Sequence, residues 1–249
     1  MKYRNQIWKI ELAYGRLEKE KYKTKDACMN RDILDISDGK LYGNNDMVKI
    51  SCHDCAGCSS CCQGMGDSIW LDPHDVSQLT KNLGKTMEEL LAKEVELHVE
   101  DGLILPNLKM QGEGDGHCSF LDEQGRCSIH SFRPGYCRLF PLGRNYEDEK
   151  LTYFVLKDAC PAPNKSKVKI MKWLNVPNIK AYEKFLVEWH GITKRLRGYY
   201  EEHMEEEAVI KAINMQFLQI FYLTPYVEED FYQEFEIRMK EIEKLLARI

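Results

Sequence analysis

At 249 residues, with 43% hydrophobic and 30% charged side chains, the chain has enough material for one large domain, or a domain with an appended bundle, and for a real core. A formal charge of -5 argues against a general nucleic-acid-binding surface, and no run approaches the roughly 20 apolar residues of a membrane span. Ten cysteines in this length fall well below the density of a disulfide scaffold, about 8–10%.

The start, "MKYRNQIWKIELAYGR", has no apolar core of a secretion signal and is interrupted repeatedly by charge. A cytoplasmic location is therefore expected, where stable disulfides are rare. Residues 1–48 read as an N-terminal segment, partly helical, and its lone Cys28 as an incidental thiol. Then comes "CHDCAGCSSCC", Cys52 to Cys62, with five cysteines in eleven residues. The spacers are small or polar and build no apolar face, so these cysteines are present for their sulfur chemistry. In a reducing compartment a clustered set means metal or catalysis.

After the box, "SIWL" (Ser68 to Leu71) is a short strand candidate. Asp72 caps a helix with Pro73 at its first position, running to about Asn82. Thr86 with Glu89 forms a capping box opening "MEELLAKE". "VELHVE" and "LILPNLKM" read as paired short strands, and "LTYFVLK" (Leu151 to Lys157) as the strongest strand. "PAPNKSKVK" (Pro161 to Lys169) reads as a loop. From Val176 to Ile249 the pattern is helical and free of cysteine. Helices are expected from about Asn178 to Arg197, from about Glu202 to Tyr222, and from about Glu228. The last carries Phe231, Phe235, Met239, Ile242, Leu246 and Ile249 on one stripe. That stripe reads first as core of a bundle and second as a docking face for a protein partner.

Four further cysteines, Cys118, Cys127, Cys137 and Cys160, each sit near Gly or Pro, where a backbone can bend around an ion. With Cys55, Cys58, Cys61 and Cys62 they make eight, enough for two four-thiolate sites. Adjacent cysteines on an extended backbone diverge, so Cys61 and Cys62 are expected to serve two neighbouring centres. Cys52 could replace one of the eight. The C-x2-C ladder is compatible with an iron–sulfur cluster or with zinc ions, and spacing leaves the two open. His53, His117 and His130 flank the cysteines and could also ligate, although solvated loop histidines are the preferred reading. Arg133 and Arg138 bracket Cys137, and with Arg144 are candidates to offset thiolate charge. "DPHD" (Asp72, His74, Asp75) could be a carboxylate–histidine catalytic group, but helix capping is the preferred use.

The box Cys55-x2-Cys58-x2-Cys61-Cys62, followed by "DSIWLDPHDV" and "CSFLDEQGRCSIHSFRPGYCRLFPL", resembles the CxxCxxCC, or YkgJ-type, cysteine-cluster family of zinc- or iron-chelating proteins. The resemblance covers roughly Cys52 to Cys160. It implies a metal-binding role, structural or redox. A related box in flagellin lysine N-methylases implies the alternative of a cluster-dependent enzyme modifying a protein substrate. No glycine-rich cofactor loop, nucleophile–base pair or phosphate-binding loop accompanies it, and catalytic residues cannot be assigned. The expected fold is α+β and helix-rich: a cysteine-rich metal-binding module with short strands over 49–165, then a helical region over 176–249. A protein partner at the C-terminal helices is expected, and neither nucleic acid nor membrane.

Overall fold

The computed structural model describes residues 33–51, 58–113 and 116–247. Cys28, Cys52, His53, Cys55 and Ile249, and most of the segment 1–48, lie outside the described residues. The fold is α+β, with helices dominant and the strands arranged as four separate antiparallel pairs. No helix among the described residues is long and apolar enough to cross a membrane.

Contacts divide the chain into two compact units, each discontinuous in sequence. Within the described residues, one contains Asp67–Lys109 and the chain from Trp189 onward. The other contains the chain up to Gly66 and Met110–Glu188. The linear division at 48/49 and around 165–176 does not coincide with this grouping. The segment 67–109 carries no cysteine, and it buries its apolar residues with helices far along the chain.

In the first unit, Asp72 and Asp75 form a reciprocal capping box with Pro73 in the first turn, and the helix Pro73–Leu83 ends at Gly84 with φ 63°. Thr86 and Glu89 open Met87–Lys93 in the same way. Val95–Glu100 and Leu103–Leu108 pair in full register across Asp101-Gly102, both at positive φ. The expected strand at Ser68–Leu71 shortens to one bridge, Trp70 with Asn107, because the cap at Asp72 turns the chain into a helix at once. Every residue of Leu103–Leu108 is buried. Asn214, from the helix Glu207–Leu218, secures this strand 110 residues away: its Oδ1 accepts the Ile104 N–H at 2.9 Å, and its Nδ2 donates to Gly102 O at 2.8 Å.

The helix Glu207–Leu218 continues into a π-turn, Gln219–Leu223, which buries Ile220, Phe221 and Tyr222 together. Phe231 and Phe235 of the helix Phe231–Leu246 are 8% and 1% exposed. Phe231, Phe235 and Ile242 of the stripe are therefore core, with Met239 and Leu246 half-buried, and Phe235 packs with Phe221 and Trp189.

In the second unit, Met47–Ser51 pairs with Ser166–Lys169. This corrects the loop expected at 161–169: a single apolar Val168 among lysines is a weak pattern, and its strand partner lies more than a hundred residues upstream. Leu142–Glu147 pairs with Lys150–Val155. Val48, Ile50, Leu139, Leu142, Tyr153, Ile170 and Leu174 form the core. The helix Ile179–Glu202 is longer than expected. Its residues to Glu188 group with the second unit and the rest with the first.

Candidate metal centre

All the described cysteines belong to the second unit. The first cysteine run ends in a single 3-10 turn, Ser60–Cys62, closed by Cys62 N–H donating to Ser59 O at 2.8 Å. Immediately after it, Gln63 bridges His117, and Gly64 N–H donates to Gly116 O at 3.0 Å. His117 and Cys118 in turn pair with Gln111 and Met110. This backbone pairing fixes Cys62 beside Cys118, although the sequence separates them widely.

From Cys118 the chain makes a tight hairpin. Cys118 O accepts Leu121 N–H at 2.9 Å, Gly125 N–H reaches Asp122 O at 2.9 Å, and Ser128 N–H reaches Phe120 O at 2.9 Å. Gly125 takes φ 70° at its tip. Leu121 bridges Cys127, and the hairpin thus returns Cys127 alongside Cys118. The 3-10 turn His130–Phe132 follows.

Cys118 is buried and Cys61, Cys62 and Cys127 are half-buried. The four lie within electrostatic reach of one another. The Cys62 thiol hydrogen-bonds Cys61 and holds its pKa down against burial, with the Cys61 amide and the Arg133 charge adding to the effect. Cys62 is pushed up correspondingly, by that shared proton, by burial and by the charges of Cys61, Cys127 and Cys118. Burial raises Cys118 and Cys127. The Phe120 amide opposes this at Cys118, and the Ile129 amide and Arg133 oppose it at Cys127. Each of these last two sulfurs accepts the N–H two residues ahead, an arrangement that stabilises a thiolate.

The expectation that Cys61 and Cys62 diverge assumed an extended backbone. The 3-10 turn removes that premise, and the two thiols interact electrostatically. Of the other expected ligands, Cys58 Sγ lies 3.6 Å from Ser60 Oγ. Cys137 is on the short helix Gly135–Leu139, and Cys160 accepts Lys165 Nζ at its carbonyl, 2.6 Å. Cys55, with Cys52, is outside the described residues. No described cysteine is in a disulfide.

The arginines separate by role. Arg133 acts on Cys61 and Cys127, and its Nη1 is 2.6 Å from His130 Nε2. Arg138 instead donates to Ser131 O at 2.9 Å and Asn175 O at 3.3 Å, holding turns together. Arg144 donates to Tyr182 Oη at 3.0 Å. His117 is exposed beside Gly112. Asp72 and Asp75 cap their helix reciprocally. His74 packs edge-on against Phe231, with centroids 5.0 Å apart. The amides of Phe120 and Ile129 escaped the sequence reading, because any residue supplies a backbone N–H and only the turn aims it.

Residues 54–161 match the model of the family CxxCxxCC, described as a "Putative zinc- or iron-chelating domain". The match spans a little under half of the chain, and this stretch is similar to that domain. The match contains all eight expected ligands and leaves out Cys52 and Cys28. No solved structure matches the chain. The CxxCxxCC domain thus offers soft thiolate donors, which suit zinc or iron rather than hard cations.

Proposed function

We propose that the CxxCxxCC domain holds a zinc or iron ion through the thiolates of Cys61, Cys62, Cys118 and Cys127, and that the ion fixes the fold of its loops. The observation that carries this is the convergence of four thiols from separate turns, Cys118 buried and Cys61, Cys62 and Cys127 half-buried, within electrostatic reach of one another. In a tetrahedral site with metal–sulfur bonds of about 2.3 Å, neighbouring ligand sulfurs stand about 3.8 Å apart. Among the described residues no three cysteine sulfurs stand within 4.8 Å of one another, so an ion would draw these loops closer together, and the thiolate set suits zinc and iron alike. The Phe120 and Ile129 amides and Arg133 offset the roughly two net negative charges of a four-thiolate zinc site.

The remaining expected ligands, Cys55, Cys58, Cys137 and Cys160, are by count a second quartet, and stoichiometry separates one ion from two. The test is metal analysis and visible absorption of anaerobically purified protein. A colourless protein with zinc that loses one equivalent on Cys118→Ser or Cys127→Ser supports the quartet. Brown absorption near 400 nm (roughly, for thiolate-to-iron charge transfer) assigns an iron–sulfur cluster instead. Full metal content in both variants overturns the site. A protein-modifying activity rests on the resemblance to lysine N-methylases alone, and a cytoplasmic location on the need to keep these thiols reduced.

A further inference from the structure

The strand pair Met47–Ser51/Ser166–Lys169 has two unlike faces. Val48, Ile50 and Val168 turn toward the core. Met47, Lys49, Lys167 and Lys169 are exposed. Lys49 stands directly opposite Lys167, and Lys169 opposite Met47, which is 54% exposed. Like charges directly opposite on a strand pair are destabilising. None of these three lysines has an ion pair among the described residues. This occurs in a chain whose acidic residues outnumber its basic ones, 40 to 35. Among the described residues the pair is also a two-stranded sheet, with no third described strand on either edge.

We propose that this lysine ribbon is a docking surface for a short acidic segment of another protein, bound in extended form along a free strand edge. Main-chain hydrogen bonds would come from the edge, and charge pairing from Lys49, Lys167 and Lys169. Exposed Met47 offers the one apolar contact. Charge complementarity selects the partner's sign, and the small extent of the patch selects its size. A nucleic acid or an anionic membrane would carry its negative charge past three lysines and onto an acidic protein. A short segment ends where the lysines end. The Met47–Ser51 strand leads directly into the cysteine box, and Ser166–Lys169 begins soon after the domain match stops at residue 161. A segment docked here is therefore held at both chain ends of the CxxCxxCC domain. The inference stands whether or not the proposed ligand quartet is correct.

Fluorescence anisotropy tests it on the full chain as purified, with a labelled peptide of alternating glutamate and valine. Binding that weakens as salt is raised is expected. Lys167→Glu should lower affinity at least tenfold while raising Tm, because it puts a carboxylate opposite Lys49 and removes the repulsion. Stability gained as capture is lost marks the repulsive pair as retained for binding. Lys49→Gln and Lys169→Gln should each weaken binding severalfold with Tm unchanged, and they decide the matter if Lys167→Glu fails to fold. No salt-sensitive binding, or binding indifferent to these substitutions, overturns the proposal. Tighter capture of a single-stranded oligonucleotide or of anionic vesicles overturns it in favour of those partners.

Discussion

At the scale of single residues, two side chains that look alike in the sequence do different work. Arg133 and Arg138 bracket Cys137 in the sequence, yet of the two it is Arg133 that places its charge on the cysteine quartet. Arg138 is committed to backbone carbonyls. Arg133→Gln is therefore expected to weaken metal retention by about 10–100-fold, the usual consequence of removing an outer-shell partner. Competition with a colorimetric chelator reads this directly. Arg138→Gln should lower thermal stability and leave chelator competition unchanged. Gly143 makes a second residue-scale case. It pairs with Phe154 across the hairpin, and an added Cβ would overlap that ring. Gly143→Ala should destabilise by about 1–3 kcal/mol, the range for overpacking, and Phe154→Leu should recover most of it. Additive losses in denaturant titrations of the double variant would refute the pairing.

At the scale of elements, the turn after the π-segment depends on one ion pair. Arg238, 5% exposed, donates to Ile220 O, Thr224 O and Pro225 O and pairs with Glu234. Glu234 also accepts the Val227 and Glu228 amides at 2.9 and 3.0 Å. Burial pushes its pKa up, but the Glu228 amide, Arg238 and the Val227 amide outweigh that and leave it below the ordinary carboxylate value. A depressed folded-state pKa means the unfolded chain binds the proton more tightly. The stabilisation is thus complete above the unfolded value, about 4.3 for Glu, and is lost as pH falls through the lower folded value. The Tm difference between the protein and Glu234→Gln should be constant above pH 5 and shrink below about pH 4. A difference that grows with acid would reverse this account.

At the scale of the whole molecule, each unit has its own apolar core. The first has a core of aromatic and aliphatic side chains, with Leu79, Leu90, Ile104, Phe217 and Phe221 fully buried. The hairpin from Cys118 to Cys127 in the second buries Phe120 and carries two thiols of the proposed quartet. If binding energy is folding energy there, chelation should speed hydrogen exchange at the Phe120 and Ile129 amides. Amides of the Ile104 strand and the Glu207–Leu218 helix should keep their protection. Uniform loss of protection across both would show that the ion supports the entire chain.

Much of this was legible in the sequence because it depends on local chemistry. The Asp72 cap, the Thr86–Glu89 capping box, the Val95–Glu100 and Leu103–Leu108 strands, and the helical tail with Phe231 and Phe235 inward follow from short-range patterns. Thiol spacing was enough to mark out the stretch that the family model matches. Contacts between distant segments decided the rest. Nothing near Gly66 or Met110 announces that the chain between them folds with residues beyond Trp189. Ser166–Lys169 is a strand only because Met47–Ser51 lies beside it. Whether Cys61 and Cys62 diverge or meet depends on one turn of 3-10 helix and on the bridge from Gln63 to His117. A sequence states which groups can bond; backbone pairing between remote segments determines which of them come within reach.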